Sequence, residues 1–255
     1  MKRFEGKVAL VTGATRGIGR STAVRLAQEG ALVGVNYRST GDPSETLHLI
    51  KEAGGEGFPV EADMRQPNQI IRMVEEVARI GERFDYLVSN AAINPFQTWD
   101  EITIEDYDRI QEINLRGTWV VCQAAAKQMI KEGHGGAIVT VSSISAWVAA
   151  RTQVVYCGTK AGIWMLTKSL ACVVGEYGIR VNCVLPGAID TDMAADLISD
   201  PLILKYYEDR TPLRRVAKPE EVAGAIAFFL SDDASFCTSS ELLVDGGFIA
   251  NAEYM

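Results

Sequence analysis

The feature that most constrains this chain is a rhythm along its length. Short β-branched apolar runs alternate with longer segments whose apolar residues recur at three and four positions. That alternation is the mark of parallel strands joined by crossover helices. The runs are 8–11, 32–36, 57–61, 86–89, 137–142, 180–185 and 242–244, with helices expected at about 17–29, 43–54, 68–81, 105–131, 155–176 and 219–230. Asp42-Pro43 and Lys218-Pro219-Glu220-Glu221 read as helix starts, with proline at the first helical position and acids in the first turn. Right-handed crossovers between such strands give a doubly wound α/β fold, a seven-stranded parallel sheet flanked by helices.

No linker, compositional break or fixed repeat divides the 255 residues, so a single domain spanning 1–255 is expected. The longest stretch outside the alternation, Ala188 to Val216, is rich in charge and turn residues and is expected to be a substrate loop. At 47% hydrophobic and 23% charged, the chain can bury a sizeable core. The balance of 25 basic against 33 acidic residues offers no overall field for nucleic acid or an anionic membrane, so neither is an expected partner. No apolar run approaches the ~18 residues of a membrane span. The run Val8 to Val11 is too short for a secretory signal, so a cytoplasmic location is expected. Five cysteines without a C-x-x-C pair suggest neither a disulfide framework nor a metal site.

Two constellations carry chemistry. The first is Val8-Ala9-Leu10-Val11-Thr12-Gly13-Ala14-Thr15-Arg16-Gly17-Ile18-Gly19, a strand, a glycine turn and a helix start. Gly13 permits the tight turn, Gly17 lets backbone approach a pyrophosphate, and Gly19 lets helix pack on strand. An ordinary βα turn with incidental glycines is the bland alternative, and the strand before and helix after argue against it. The second constellation is Tyr156 and Lys160, four apart on one helical face, where an ammonium would lower the phenol's pKa toward working pH. A tyrosine so tuned can protonate the alkoxide left by hydride transfer to a carbonyl, or take the proton in the reverse oxidation. Ser143, placed after an apolar strand, can orient the substrate oxygen. Cys157 beside Tyr156 reads as packing.

The spacing G-x-x-x-G-x-G after Thr12, then Asn90-Ala91-Ala92, Asn114, Ser143, Tyr156-x-x-x-Lys160 and Pro186-Gly187 resembles the short-chain dehydrogenase/reductase family over about residues 5–248. The resemblance implies a Rossmann-type sheet, a nicotinamide cofactor and hydride transfer at a CH-OH group. It makes Tyr156 the acid/base, Lys160 the pKa depressor and ribose anchor, Ser143 the substrate orienter and Asn114 a water-relay residue. Thr15, Ile18 and Met64 join the cofactor contacts, and Asp63 receives the adenine amino group. Asn90, Ala91 and Ala92 lie along the nicotinamide ribose, Pro186, Gly187 and Ile189 bound the nicotinamide, and Thr191 bonds its carboxamide. The family also implies a homotetramer, with the helices at about 105–131 and 155–176 forming one interface and the C-terminal segment another.

Cofactor choice is set after the second strand, where an acid would bind the ribose diol of NAD. Here Tyr37 takes that place, followed by Arg38 and Ser39, and Arg16 lies in the glycine loop. Two guanidinium groups and a hydroxyl converging on a 2′-phosphate favour NADP, with NAD as second choice. Arg16 and Arg38 as solvated surface charges are the alternative. For the substrate, Asn94, Gln97, Ser145 and Gln153 offer hydrogen bonds and Trp147 and Met193 an apolar wall. Ile93-Asn94-Pro95-Phe96, the Ser-Ser-Ile-Ser-Ala run and the ending Leu242 to Phe248 resemble aldose 1-dehydrogenases of the L-rhamnose type. Val154-Val155 and the loop after Thr191 depart from them, so a different sugar or a non-sugar carbonyl stays open. The runner-up is a 3-oxoacyl-carrier-protein reductase. Its basic docking positions are here His134 and Tyr177, beside Glu176, which suits an acidic carrier poorly. A catalytically idle NADP-binding regulator is the third reading, and the complete set Asn114, Ser143, Tyr156 and Lys160 argues against it.

Overall fold

The computed structural model of the chain describes residues 2–251; position 1 and positions 252–255 of the expected domain lie outside the described residues. The strands are β1 (Val8–Val11), β2 (Leu32–Tyr37), β3 (Glu56–Glu61), β4 (Tyr86–Ser89), β5 (Gly136–Val141), β6 (Ile179–Pro186) and β7 (Glu241–Val244). They form one sheet in the order β3-β2-β1-β4-β5-β6-β7. Every pairing is parallel. The helices are α1 (Gly17–Gln28), α2 (Ser44–Glu52), α3 (Pro67–Gly81), α4 (Ile104–Ile110), α5 (Gly117–Glu132), α6 (Val154–Val174), α7 (Ala195–Ile198), α8 (Pro201–Arg210) and α9 (Pro219–Leu230).

Strands covered by helices on both faces have no polar side to alternate with, which is why they read as continuous apolar runs. In β1, Ala9 and Val11 join a core with Leu26 of α1 and Ile226 of α9. Val8 and Leu10 face the other way, toward Ile70 and Val77 of α3 and Met129 of α5. Each such fully buried aliphatic side chain contributes roughly 1.5–3 kcal/mol relative to exposure. The helix starts follow local chemistry. Pro67, Pro201 and Pro219 each open a helix, and the Glu221 carboxylate accepts from Lys218 N–H at 2.8 Å. Asp42 accepts from Ser44 N–H at 2.9 Å, so α2 begins one residue later than its proline suggests.

Two expectations need correction. The helix expected at 105–131 is two helices joined by a π-helical turn, Gln111–Arg116, with Asn114 inside it. The stretch 188–216, expected as loop, contains α7 and α8, the latter capped by the Asp200 carboxylate accepting from Leu202 N–H at 2.8 Å. No described helix is long and apolar enough to cross a membrane.

Candidate active site

The strand order reverses between β1 and β4, and in open parallel sheets the crevice at the carboxyl ends of such strands is where ligands bind. Thr12, at the end of β1, is fully buried. Its hydroxyl accepts from Asn90 N–H at 2.9 Å and Ala91 N–H at 3.0 Å, tying the loop after β4 to the glycine turn. The Asn90 carboxamide donates back to the Thr12 carbonyl at 2.9 Å and the Gly13 carbonyl at 3.2 Å. Gly13 and Gly17 have φ of 62° and 54°, left-handed backbone that glycine adopts without strain. A Cβ on Gly19 would collide with the Gly13 carbonyl and come within 2.6 Å of Asn90 Nδ2. Gly19 therefore seats α1 against the turn. Arg16, which precedes α1, supplies no side-chain cap, so the positive helix end is left to a ligand. Those features fit a dinucleotide pyrophosphate. Ile18 lines the crevice, and Thr15 and Arg16 lie on the turn just before it.

At the end of β2, Asn36 acts as a strut. Its Oδ1 accepts from Gly13 N–H at 3.0 Å, and its Nδ2 donates to the Val60 carbonyl at 3.3 Å and the Ala62 carbonyl at 3.2 Å. Tyr37 is half-buried, and Arg38 and Ser39 are exposed. Among the described residues no carboxylate pairs with Arg38, and its charge helps hold Asp63 below the usual carboxylate range. The larger cause is Arg65, which donates to the Asp63 carboxylate at 2.7 Å. Asp63 is thus engaged, with lone pairs to spare for an adenine amino group. Arg16 lies 3.5 Å from Asp192, across the cleft mouth from the turn. Met64 is buried; its carbonyl would stand 2.7 Å from a Cβ on Gly117, at the start of α5.

Ser143, Tyr156 and Lys160 line one cleft with Asn90, Ala92 and Asn94. Ser143 follows β5, and its hydroxyl accepts from Ser145 N–H at 3.0 Å. Lys160 Nζ donates to the Val141 carbonyl at 2.8 Å and stands 5.3 Å from the Tyr156 ring centroid. Burial pulls the Lys160 ammonium down to about 8. The expected depression of the Tyr156 phenol does not arise in this arrangement. Burial pushes its pKa up, and the Ser143 hydroxyl draws it partway back. Desolvation disfavours a phenolate more than this neighbour favours it. Asn114 is fully buried. It accepts from Ile93 N–H at 2.9 Å, donates to the Ile93 carbonyl at 2.9 Å, and reaches Thr159 Oγ1 at 3.3 Å.

Ser145 and Gln153 also line the cleft, with the serine hydroxyl donating to Gln153 Oε1 at 3.1 Å. Pro186, Gly187, Ile189, Thr191 and Met193 close the opposite side. Ala91 meets the glycine turn, since a Cβ on Gly13 would lie 2.9 Å from its Cα. Trp147 does not form the expected wall. Its ring packs edge-on against Trp164 of α6 at 6.2 Å, outside the cleft lining. Gln97 turns away too, donating to Asp106 at 3.2 Å. His134 and Tyr177 precede β5 and β6, at the amino ends of the strands and so at the end of the sheet away from the crevice. Tyr207 and Ile198 line the cleft without a sequence signal, because they stand on helices the apolar pattern does not reveal.

Comparison with known proteins agrees with this geometry. Residues 13–249 match the family model described as enoyl-(acyl carrier protein) reductase. The L-rhamnose 1-dehydrogenase (NAD(P)(+)) of Sphingomonas sp. (strain SKA58) is 42% identical over 254 residues, covering 99% of this chain and 100% of that protein. The L-rhamnose 1-dehydrogenase (NADP(+)) of Thermoplasma acidophilum is 35% identical, with 99% and 100% covered. The crystal structure of a short-chain type dehydrogenase/reductase from Mycobacterium marinum superposes with a TM-score of 0.91 at 34% identity, covering 96% of each chain. The ordered motifs, the parallel sheet and these matches together make this chain a member of the short-chain dehydrogenase/reductase family of oxidoreductases.

Proposed function

We propose that this protein oxidises a cyclic, hydroxyl-rich compound of the aldose type at its anomeric carbon, with NADP as the preferred hydride acceptor and NAD as the second. The observation that carries the substrate class is the company the reactive groups keep. Asn94, Ser145 and Gln153 put hydrogen-bonding amides and a hydroxyl into the cleft of Ser143, Tyr156 and Lys160, which suits several hydroxyls held at once. The names of the Sphingomonas and Thermoplasma relatives support the same reading. For NADP, the support is Arg38 after β2, which pairs with no carboxylate among the described residues, the absence of an acid at position 37, where Tyr37 stands, and Arg16 on the glycine turn.

Bound NADP supplies the carbon that accepts the hydride, and the proton is handled by side chains. In oxidation Tyr156 Oη takes it from the substrate hydroxyl once its own proton has passed toward solvent, and in reduction the phenol gives its proton to the substrate oxygen. Ser143 Oγ holds the substrate oxygen against that phenol. Lys160, charged at neutral pH with a pKa of about 8, supplies the local positive potential and a ribose contact. Asn114 would hold the water that links Lys160 to solvent, accepting from it through the second lone pair of Oδ1, the one its bond from Ile93 leaves open. The remaining cofactor contacts follow the residues already placed around the cleft. We propose one domain as the catalytic unit and a homotetramer as its assembly; the exposed apolar side chains Trp119, Met165, Val173 and Phe236 support the latter.

The test is reduction of NADP and NAD across aldoses, polyols and acyclic secondary alcohols, beside reduction of an acetoacetyl thioester by NADPH. Turnover of an aldose that falls by about 10²–10⁴ in Tyr156→Phe is expected. Activity confined to the thioester would replace the sugar reading with a carrier-protein reductase. No turnover of any substrate would leave a binding protein.

A further inference from the structure

Helix α8 puts an aromatic side chain into the cleft from a segment that carries no motif. Tyr207 shares that lining with Ser143 and Tyr156. No described residue hydrogen-bonds its phenol, while its backbone carbonyl serves the Thr211 hydroxyl at 2.7 Å. Burial keeps the phenol neutral by pushing its pKa up. The ring does not stand alone. It lies tilted by 33° on Phe248 at 5.6 Å between centroids, and edge-on to Tyr206 at 5.6 Å.

Phe248 comes from the segment that follows β7, and that segment is itself fixed. The Asp245 carboxylate accepts from Gly247 N–H and Ile249 N–H, each at 2.9 Å. Gly246 and Gly247 turn there at φ of 62° and 89°. Asn251 Nδ2 donates to the Arg210 carbonyl at 2.7 Å, at the end of α8. The Arg210 guanidinium covers Phe248 at 5.2 Å and Tyr206 at 5.6 Å. Helix α8 and the segment after β7 are thus one packed unit, and Tyr207 is its member in the lining of the cleft that holds Ser143, Tyr156 and Lys160.

We propose that Tyr207 is a specificity-determining residue, the aromatic wall and free hydroxyl against which a ring-shaped polyhydroxy substrate lies, and that Phe248 is its positioning residue. The inference rests on the sugar reading and deepens it. An aromatic face suits the C–H side of a sugar ring, and a phenol that no described residue bonds suits one of its hydroxyls. A small acyclic alcohol reaches Tyr156 without needing that wall.

The test compares wild type, Tyr207→Phe, Tyr207→Ala and Phe248→Leu on L-rhamnose and on 2,3-butanediol, with NADP affinity followed by fluorescence. Tyr207→Phe is expected to raise KM for the aldose about 2- to 10-fold, the range of one hydrogen bond. Tyr207→Ala raises it further, with a smaller change in kcat, in NADP affinity and in KM for the diol. Phe248→Leu falls between them. Equal KM changes for aldose and diol, or a KM in Tyr207→Ala matching wild type in a folded protein, would overturn the proposal. If wild type oxidises no aldose, the sugar reading has failed. Cyclohexanol then replaces L-rhamnose in the same comparison, and the wall is judged on ring against open chain.

Discussion

Replacing Thr12 by valine separates hydrogen bonding from apolar burial at the centre of the site. The side chain is fully buried, so valine fills nearly the same space and adds apolar surface. What it removes is the acceptor for Asn90 N–H at 2.9 Å and Ala91 N–H at 3.0 Å. A buried donor left without a partner costs about 1–3 kcal/mol. Both residues are half-buried, so the lower part of that range applies and the pair amounts to about 2–4 kcal/mol. For a chain of this size that lowers Tm by about 4–16 °C. Thr12→Ser keeps the acceptor and loses one methyl, about 1 kcal/mol. The expected order in urea unfolding is wild type, then Thr12→Ser, then Thr12→Val, whereas apolar area alone would put Thr12→Val first and Thr12→Ser last. NADP affinity should fall in Thr12→Val and hold in Thr12→Ser, because only valine removes the acceptor that anchors Asn90. A valine variant as stable as the serine variant would refute the reasoning.

Lys160 gives a pH-dependent test. Its pKa of about 8 in the folded protein lies below the ~10.4 of an unfolded chain. Between those values the unfolded chain binds more protons, so this group's share of stability rises with pH there, and its full penalty is present below pH 8. Lys160→Met, measured by thermal melting from pH 7 to 10, should be inactive yet more stable at pH 7, with the gap to wild type closing as pH rises; a less stable variant at pH 7 would show that the bond to the Val141 carbonyl outweighs the buried charge. Arg38→Asp should lower the NADP-to-NAD ratio of kcat/KM by about 10- to 100-fold, the loss of one charge-assisted contact. An unchanged ratio would show that Arg38 is not the selector.

The five inner strands were legible because burial on both faces leaves an apolar signature that tolerates few exceptions, and the shorter apolar runs of the edge strands β3 and β7 sufficed to place them; each expected strand is present with ends shifted by at most one residue. The glycine turn was legible because its steric demands are local. The π turn was not, since one extra residue between two good helical segments changes the apolar period too briefly to stand out. Helices α7 and α8 escaped for another reason. Pro201 and Asp200 start α8 locally, but the apolar partners that hold it, such as Phe248, lie some forty residues away in sequence. Trp147 shows the converse error, an aromatic beside a motif that packs outward on Trp164. Helical spacing reports that Tyr156 and Lys160 are neighbours, whereas the direction of the phenol's pKa depends on the burial and the hydroxyl that surround it, which spacing does not show.

The π turn at 111–116 also makes this part of the chain intolerant of length change. A straight α-helix rotates about 100° per residue, so one extra residue sets the phase between α4 and α5. Helix α5 keeps Val121 and Met129 against the sheet, while α4 keeps Asp106 within reach of Gln97 and Thr103. Deleting any single residue between 111 and 116 would restore a regular helix and swing one of those faces away from its partners. Substitutions along this rod are judged one side chain at a time, but its residue count is a single setting that both walls share.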